Sequence, residues 1–486
     1  MGANRGRMGR REFLRRAGVA GVGGIAACAG LCGRTAHAAG KRPNFLFILV
    51  DDLGVSDLGV YGNTFHETPR LDRFATSSLM FENAYAACPV CSPTRASIMT
   101  GKYPARLGIT DWIPGEKQPK NRPVICQSTK KFLPLKEVTI AEALRDEGYR
   151  TAFLGKWHLG WWTKKKEGWN RLPKLEQWEG VYYPDKQGFD VNVAGNYRGQ
   201  PRSYFSPYNI ENIKNGPKGE YLTDRLTNEA LGLMKSYARG DKPFFMYLAY
   251  YTVHTPHQAK KDDIAHFQDK PATIWDHKKY AAMVRCLDYN VGRLLDGLVK
   301  NGLDDNTVVV FYSDNGAHPT SSCHPYRGHK GQIYDGGIRE PLILRWPGVT
   351  KPNTRCDVPV TSPDFYPTLL EIAGAPPRPR QHVDGVSLVP LLRGGRSLER
   401  EAIYWHFPHF RRSAPEMPAG AVRAGDWKLI EYYTTGQVEL YNLREDIGET
   451  DNRAASQPRL TRELKTRLEK WRASVGAVMP KPNPTR

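Results

Sequence analysis

Two apolar runs, each ending in a pair of oxygen-bearing side chains, most constrain how this chain can fold. Residues 44–50 read Asn-Phe-Leu-Phe-Ile-Leu-Val and are followed by Asp51-Asp52. Residues 306–313 read Asn-Thr-Val-Val-Val-Phe-Tyr-Ser and are followed by Asp314-Asn315. Such runs are typical of strands buried on both faces of a parallel sheet, whose carboxyl edge is where ligands bind. The chain is therefore predicted to be an α/β protein with its site at this edge.

The paired side chains at the two strand ends predict a metal site. Adjacent carboxylates are costly to bury because like charges repel and each needs a solvating partner. A hard divalent cation offsets that cost and takes oxygen ligands, so calcium or magnesium is expected. A solvated turn after each strand is the other interpretation. The sequence contains no cysteine–histidine cluster with zinc spacing.

Helical and strand patterns alternate between the two apolar runs. Apolar spacing and caps predict helices over 139–146, 221–238 and 279–298, and strands over 149–154 and 243–251. After residue 400 the pattern changes to short strands over 421–431 and 437–443, then a basic helix over 460–475. A large mixed, mostly parallel sheet between helices and a small antiparallel-sheet subdomain with a terminal helix are expected.

The length and the first residues predict three parts. A chain of 486 residues exceeds one ordinary core. Residues 1–38 contain Arg10-Arg11, which resembles a twin-arginine export motif, then a short glycine-rich apolar run and Ala36-His37-Ala38. That run is too short and too rich in glycine for a transmembrane segment. The expected parts are a signal peptide (1–38), a catalytic α/β domain (39–392) and the antiparallel-sheet subdomain (393–486).

The signal predicts an exported, periplasmic or secreted protein. Cleavage after Ala38 is the favoured processing. A lipoprotein is the alternative, because Ile25-Ala26-Ala27-Cys28 resembles a lipobox in which Cys28 is the lipidated residue.

One short stretch carries a candidate nucleophile. Residues 91–95 read Cys-Ser-Pro-Thr-Arg, and Gly101 follows after the five residues Ala-Ser-Ile-Met-Thr. Ser92 as a hydroxyl cap and Pro93 in the first turn predict a short helix that ends at Gly101. Cys91 would then lie just before a helix N-terminus, which favours an anion, and Arg95 would return toward the same end. The alternative is a buried structural cysteine.

The same stretch resembles the Cys-x-Pro-x-Arg…Thr-Gly signature of the type I, formylglycine-dependent sulfatases of the alkaline phosphatase superfamily. The resemblance implies an alkaline-phosphatase-like sandwich and a sulfuric ester hydrolase. It also implies that a sulfatase-maturing enzyme oxidises Cys91 to formylglycine (3-oxoalanine), whose hydrate is the nucleophile. Carried over by position, the metal, usually calcium, is held by Asp51, Asp52, Asp314, Asn315 and residue 91.

Three further segments match the family and complete the predicted catalytic set with Arg95. Gly155-Lys156-Trp157-His158 resembles a motif in which the lysine contacts sulfate and the histidine contacts the formylglycine hydroxyl. His254 matches the histidine that faces the leaving-group oxygen, while His257 matches a less constant position. Lys330 begins a segment similar to Lys-Gly-x-x-x-Glu-Gly-Gly-x-Arg-x-Pro and is the implied second sulfate ligand.

Small departures and neighbours of these motifs bear on the pocket. Asp335 stands where the family more often has glutamate, so a shorter carboxylate braces the loop. His324 and Arg327 precede that loop and are candidate sugar contacts. Residues 404–409 (Tyr-Trp-His-Phe-Pro-His) suit either the pocket or an interdomain core.

The charge of the chain limits the chemical classes of partner that it suits. The net charge is +20, of which the first 38 residues carry about a third. A basic surface suits an anionic partner, and no nucleic-acid-binding motif is present, so a sulfated carbohydrate is expected rather than nucleic acid. Residues 107–112 and 406–409 slightly resemble galactose- or N-acetylgalactosamine-directed relatives. No pattern specifies an oligomeric state.

Three rival functions stay open at this point. A phosphomonoesterase or phosphodiesterase of the same superfold would use serine or threonine as nucleophile and usually two metals. A catalytically inactive sulfated-glycan-binding protein would need Cys91 to remain unconverted. A nucleic-acid binder has only the net charge in its favour. The odd number of cysteines left after conversion of Cys91 argues against a full disulfide framework.

Overall fold

The computed structural model describes residues 41–116, 121–160, 180–272, 277–411 and 417–483. The predicted signal peptide, its cleavage site and Cys28 lie outside these ranges. The segment 161–217, which is rich in aromatic and basic residues without clear periodicity, is predicted to be a long insertion at the pocket rim, and its first third also lies outside these ranges.

The strands of the described residues number sixteen in chain order. They are β1 (Asn44–Val50), β2 (Leu79–Phe81), β3 (Ala84–Tyr85), β4 (Val124–Ile125), β5 (Arg150–Gly155), β6 (Val191–Val193), β7 (Phe244–Ala249), β8 (Thr307–Ser313), β9 (Leu342–Arg345), β10 (Thr354–Cys356), β11 (Val360–Thr361), β12 (Ile403–Phe407), β13 (Ala419–Ala424), β14 (Trp427–Tyr432), β15 (Val438–Asn442) and β16 (Lys481–Pro482).

The helices of the same residues are named here in chain order. They are α1 (Pro69–Thr76), α2 (Cys91–Thr100), α3 (Pro104–Leu107), α4 (Ile140–Asp146), α5 (Leu222–Tyr237), α6 (Lys261–His266), α7 (Lys278–Lys300), α8 (Asp335–Ile338), α9 (Phe365–Ile372), α10 (Val389–Leu392) and α11 (Pro458–Ser474).

An eight-stranded sheet forms the centre of the protein, in the order β10-β2-β9-β8-β1-β7-β5-β6. Only β9 runs antiparallel to its neighbours β2 and β8, while the other pairs are parallel. The predicted mixed, mostly parallel sheet is therefore confirmed. β1 lies between β7 and β8, with Val50 beside Ser313, so the two acidic pairs emerge side by side.

Every residue of β1 is buried, although its side chains point alternately to the two faces of the sheet. Phe45, Phe47 and Leu49 enter one core, and Leu46, Ile48 and Val50 enter the other. α4 and α9 cover the first face, and α1, α5 and α7 cover the second. Because both faces are covered by helices, the strand reads as a continuous apolar run.

A four-stranded antiparallel sheet, β12-β13-β14-β15, forms the small C-terminal part. The expected strand over 421–431 is instead a hairpin of β13 and β14. The chain turns there at Gly425, whose φ of +57° is in the left-handed region that glycine favours. α11 packs on this sheet through Leu464, Leu468 and Trp471, as expected for the basic terminal helix.

Two further findings concern the chain as a whole. The six cysteines after residue 41 are all free, in agreement with the expected lack of a disulfide framework. Within the ranges described above, no helix combines the length and the apolar character needed to cross a bilayer.

Candidate active site

Cys91 is the first residue of α2, at the carboxyl edge of the central sheet. The prediction that Ser92 caps this helix was wrong, because the helix begins one residue earlier, after Val90. The Ser92 hydroxyl donates instead to the carbonyl oxygen of His158 (2.9 Å) and accepts from the backbone N–H of Ile113 (3.0 Å). Its hydroxyl is thus used to hold the neighbouring loops. Gly101 ends the helix in the left-handed conformation, as predicted.

The acidic pairs after β1 and β8 meet beside α2. Asp51, Asp52, Asp314 and Asn315 are all fully buried. The Asn315 amide donates to Asp52 Oδ1 at 2.9 Å. Three oxygens of this group, Asp51 Oδ1, Asp52 Oδ2 and Asn315 Oδ1, accept no hydrogen bond from the described residues. Buried oxygens left without a donor indicate a missing positive partner.

A divalent cation fits this group of oxygens. Asp51, Asp52 and His254 offer ligand atoms within 4.8 Å of one another. Burial raises the pKa of Asp51 to about 8 despite the attraction of Lys156. Although burial opposes it, Lys330 holds the pKa of Asp52 well below its usual range. Hard oxygen ligands of this kind suit calcium or magnesium. His254 was not expected among the metal-facing groups.

Three cations, of which Arg95 and Lys156 are buried and Lys330 is partly buried, face the three carboxylates. The contacts are Arg95 Nε to Asp314 Oδ2 (2.7 Å), Lys156 Nζ to Asp51 Oδ2 (2.7 Å) and Lys330 Nζ to Asp52 Oδ1 (2.5 Å). Arg95 also lies 3.8 Å from Asp51 and donates to the carbonyl oxygen of Lys156. The return of Arg95 toward the helix start thus agrees with the expectation. Every carboxylate of the cluster has a cationic partner.

His158 is oriented by two contacts on opposite sides of its ring. Its Nδ1 lies 3.3 Å from Cys91 Sγ, and its Nε2 faces the carbonyl oxygen of Ile113. A carbonyl oxygen only accepts, so Nε2 carries the hydrogen and Nδ1 presents a lone pair to residue 91. Burial, with Lys156 nearby, lowers the pKa of His158 well below its usual value. The ring is therefore a neutral base aimed at position 91.

His254 occupies the opposite side of the acidic cluster. Its Nδ1 lies 2.9 Å from the carbonyl oxygen of Thr255, so Nδ1 carries the hydrogen. Its Nε2 lies 3.7 Å from Asp52 Oδ2. Burial lowers its pKa well below the usual value, although Asp52 opposes the shift.

One cavity of about 490 Å³ reaches four of the predicted site residues, while Arg95, Lys156 and the four oxygen-bearing residues are not among those that line it. Cys91, His158, His254 and Lys330 line it, together with residues that the sequence motifs did not assign: Trp112, Ile113, Pro114, Tyr197, Arg198, Gly199, Gln200 and Arg411. The basic and aromatic composition of 161–217 was the only signal for the segment 197–200. Trp112 falls within 107–112, which was singled out only for its likeness to sugar-directed relatives.

Several other candidates lie away from this cavity. Arg327 stacks on Tyr334 (3.9 Å to the ring centre) and donates to the carbonyl oxygen of Glu449. Trp405 is buried and donates to the carbonyl oxygen of Ala86, and no residue of 404–409 is among those that line the cavity. His324 is likewise not part of the cavity lining within the described ranges.

Asp335 and His257 contact other side chains of the protein and do not line the cavity. The Asp335 carboxylate is buried between Arg339 (2.9 Å) and Lys428 (2.7 Å) of β14. This shorter carboxylate does brace its loop, against the small sheet. His257 packs against the rings of His318 and Tyr280.

Comparison with known proteins agrees with this geometry. Residues 43–375 match the sequence model of the family described as "Sulfatase", and residues 328–474 match "N-sulphoglucosamine sulphohydrolase, C-terminal". A sulfatase of Formosa agariphila is 32% identical, over 90% of this chain and 90% of its own. Human N-acetylgalactosamine-6-sulfatase is 32% identical, over 77% of this chain and 70% of its own.

A solved structure with the same fold extends the comparison. Ps i-CgsB, determined in complex with k-i-k-neocarrahexaose, is 30% identical and has a TM-score of 0.72, covering 89% of this chain and 93% of its own. The family match spans well over half of the residues, and it includes every strand of the central sheet. The chain therefore belongs to the sulfatase family of sulfuric ester hydrolases, within the alkaline phosphatase superfamily.

Proposed function

We propose that this sulfatase is an exported enzyme that removes sulfate from sulfated carbohydrates, using a formylglycine made from Cys91 and a bound calcium ion. One observation carries the proposal. Cys91, His158, His254 and Lys330 line one cavity, the Nδ1 lone pair of His158 is directed at residue 91, and Lys330 and His254 connect this wall to the acidic cluster, where three oxygens accept no hydrogen bond from the described residues. Sulfate transfer needs a nucleophile, a base and positive charge together.

The state of Cys91 supports its conversion by a sulfatase-maturing enzyme. Burial raises the pKa of the Cys91 thiol above its usual value, so the unmodified side chain is not a reactive thiolate at neutral pH. When present, the hydrate of formylglycine supplies the nucleophilic hydroxyl that the thiol lacks. The position of residue 91 at the start of a buried helix fixes that group in the cavity wall.

The four oxygen-bearing residues Asp51, Asp52, Asp314 and Asn315 would hold the cation, with residue 91 beside them. When bound, calcium supplies positive charge for sulfate oxygens, and magnesium is the alternative. Lys156, Arg95 and Lys330 keep these carboxylates oriented through contacts of 2.5–2.7 Å.

The remaining side chains have separate tasks in this proposal. The Nδ1 lone pair of His158 accepts the proton of a hydroxyl at position 91. Lys156 and Lys330 stabilise the negative charge of the sulfate group. His254, with Nε2 directed toward Asp52, would face the oxygen of the leaving sugar and assist its departure.

A carbohydrate substrate is supported by the cavity and by two relatives. The cavity of about 490 Å³ has room for a sugar beyond the sulfate group. One relative is named N-acetylgalactosamine-6-sulfatase. The other, Ps i-CgsB, was determined in complex with k-i-k-neocarrahexaose. Galactose or N-acetylgalactosamine sulfates are the proposed class.

The predicted parts of the chain belong to the same proposal. Residues 1–38 would act as the export signal, with lipidation at Cys28 as the alternative. Residues 39–392 would form the catalytic domain and 393–486 the small subdomain, to which Lys428 and Glu449 belong.

The experiment compares the chain produced with and without a sulfatase-maturing enzyme. Mass spectrometry of the peptide containing residue 91 should show an aldehyde in place of the thiol, and sulfate release from an aryl sulfate should follow that conversion. Cys91→Ala is the matched control and should be inactive but folded. Full activity of a preparation whose residue 91 is an unmodified thiol would refute the proposal. A converted chain that releases phosphate but no sulfate would favour the phosphoesterase instead.

A further inference from the structure

The cavity contains more positive charge than the sulfate chemistry uses. Lys330 lies against Asp52 on the side of the reacting residue. Arg198 and Arg411 also line the cavity, and neither contacts the acidic cluster at the strand ends. They come from distant parts of the chain, the loop before α5 and the segment after β12.

Two donors of Arg411 have no hydrogen-bond acceptor within the described residues. Its Nε lies 3.6 Å from Glu116 and its Nη1 lies 3.8 Å from Asp111, both longer than a hydrogen bond. Both nitrogens are buried and donate no hydrogen bond to the described residues. Buried donors of a guanidinium that lack an acceptor favour the binding of one.

Arg198 is held ready at another part of the wall. Glu211 binds its Nε (3.1 Å) and Nη2 (2.6 Å), and Asn196 fixes the same carboxylate at 2.7 Å. The guanidinium lies over the ring of Tyr197, 5.1 Å from its centre. Because the Arg198 side chain is already ordered, it loses little further conformational entropy when a ligand binds to Nη1.

Two aromatic rings complete this part of the wall. Tyr197 and Trp112 both line the cavity, and the Trp112 ring centre lies 6.4 Å from that of His158. An aromatic face beside the reacting residue suits the apolar face of a sugar ring. A sugar stacked there would bring its other substituents toward the two guanidiniums.

We propose that this pocket selects a sugar with a second acidic group, a sulfate or a carboxylate, besides the sulfate that is removed. Arg411 and Arg198 are its counter-charges, because guanidinium groups bind such oxyanions through paired, charge-assisted hydrogen bonds. The inference rests on the proposed function, since it assumes that the reacting sulfate lies at Cys91. The competing interpretation is that both arginines only neutralise Asp111, Glu116 and Glu211.

The test measures binding, so that it does not depend on turnover. The Cys91→Ser chain, in calcium-containing buffer, is titrated calorimetrically with matched monosulfated and disulfated forms of galactose, glucosamine and N-acetylgalactosamine. A monosulfated disaccharide with and without a uronic acid distinguishes carboxylate from sulfate. The second acidic group should tighten binding about 10- to 100-fold in at least one pair.

Variants assign the effect to the two arginines. Arg411→Met and Arg198→Met, each added to Cys91→Ser, should remove most of that preference. Arg444→Met is the matched control, since Arg444 is 75% exposed, pairs with Asp426 and removes the same charge outside this cavity. The control should keep the full preference.

The two levels of the proposal fail separately. Equal affinity within every pair, or a preference that survives both arginine variants, would overturn the second-anion site. Sulfate release from an aryl sulfate by the converted chain tests the proposed function independently. A binding preference without any sulfate release would overturn the function and keep the anion site.

Discussion

The Nδ1 atom of His158 lies 3.3 Å from the sulfur of Cys91. Because Nε2 donates to the carbonyl oxygen of Ile113, the ring can accept a proton only on the side of residue 91. His158 can therefore accept a proton only from the group at position 91, whatever the leaving group of the substrate is. This separates its task from that of His254.

His158→Ala should therefore slow every substrate alike. Loss of a positioned base typically costs about 10²- to 10⁴-fold. We expect kcat to fall on both an aryl sulfate and a sulfated sugar, with KM nearly unchanged. Steady-state kinetics on the two substrates is the measurement. A variant impaired on the sugar alone would contradict the assignment.

His254→Ala should separate the same two substrates. A sugar alkoxide is a poor leaving group and needs a proton or a cation nearby, whereas an activated phenolate does not. The ratio of kcat/KM for the sugar to that for the aryl sulfate should fall at least about tenfold. Equal losses on both would show that His254 only contacts sulfate or metal.

Chelation and Asp314→Ala test the cation. Excess chelator should abolish activity, and calcium, or magnesium, should restore it. Asp314→Ala should bind less metal and also lose stability, because buried Arg95 then loses its partner at 2.7 Å. Breaking a buried pair in this way costs about 3–5 kcal/mol. Elemental analysis and urea unfolding are the measurements. Full activity of a demonstrably metal-free preparation would exclude the metal site.

Gly199→Ala should disturb His158 through packing alone. A Cβ at Gly199 would lie 2.6 Å from both Cε1 and Nε2 of the His158 ring, so the imidazole must move. A displacement of this kind can lower kcat about 10²-fold while the fold is retained. Gly232→Ala, at an exposed position of helix α5 with no atom within 4 Å of the new Cβ, is the matched control. It should leave activity unchanged and add up to about 1 kcal/mol of stability.

Acid should destabilise the fold through His406 and His409. Burial lowers the pKa of each to about 3, below the value of about 6.5 expected when unfolded. The unfolded chain therefore binds more protons between these values, so this contribution is complete above pH 6.5 and is lost as the pH falls toward 3. His406→Gln should flatten the decline of the unfolding free energy between pH 7 and pH 4, by about a few kcal/mol. An unchanged pH profile would contradict it.

Local sequence patterns were enough to predict strands that are buried along their whole length and helices that have a capping motif. β1 and β8 are buried on both faces, so their composition alone indicated them. The helix α4 was evident from its capping box of Thr139 and Glu142. The motif residues were placed by resemblance; in the structure Cys91, His158, His254 and Lys330 line one cavity, and the other motif residues join them through the ion pairs of the acidic cluster.

Features that depend on tertiary contacts could not be predicted from the sequence. Ser92 resembles a cap, but its hydroxyl is engaged by His158 and Ile113 from another loop. The segment 197–200 has no periodicity, and the need for Gly199 arises only because His158 packs against it. The role of Arg411 depends on the distances to Asp111 and Glu116, which no spacing encodes.

The three ion pairs of the acidic cluster have a consequence for how a turnover ends. When a bound divalent ion ionises Asp51, three carboxylates and three cations cancel, and the ion leaves the site with two excess positive charges. A sulfate ester brings one negative charge to that site, but free inorganic sulfate brings two. The departing product is therefore better matched to the site than the arriving ester. Sulfate should act as a competitive inhibitor, and its escape should limit the rate wherever the chemistry itself is fast.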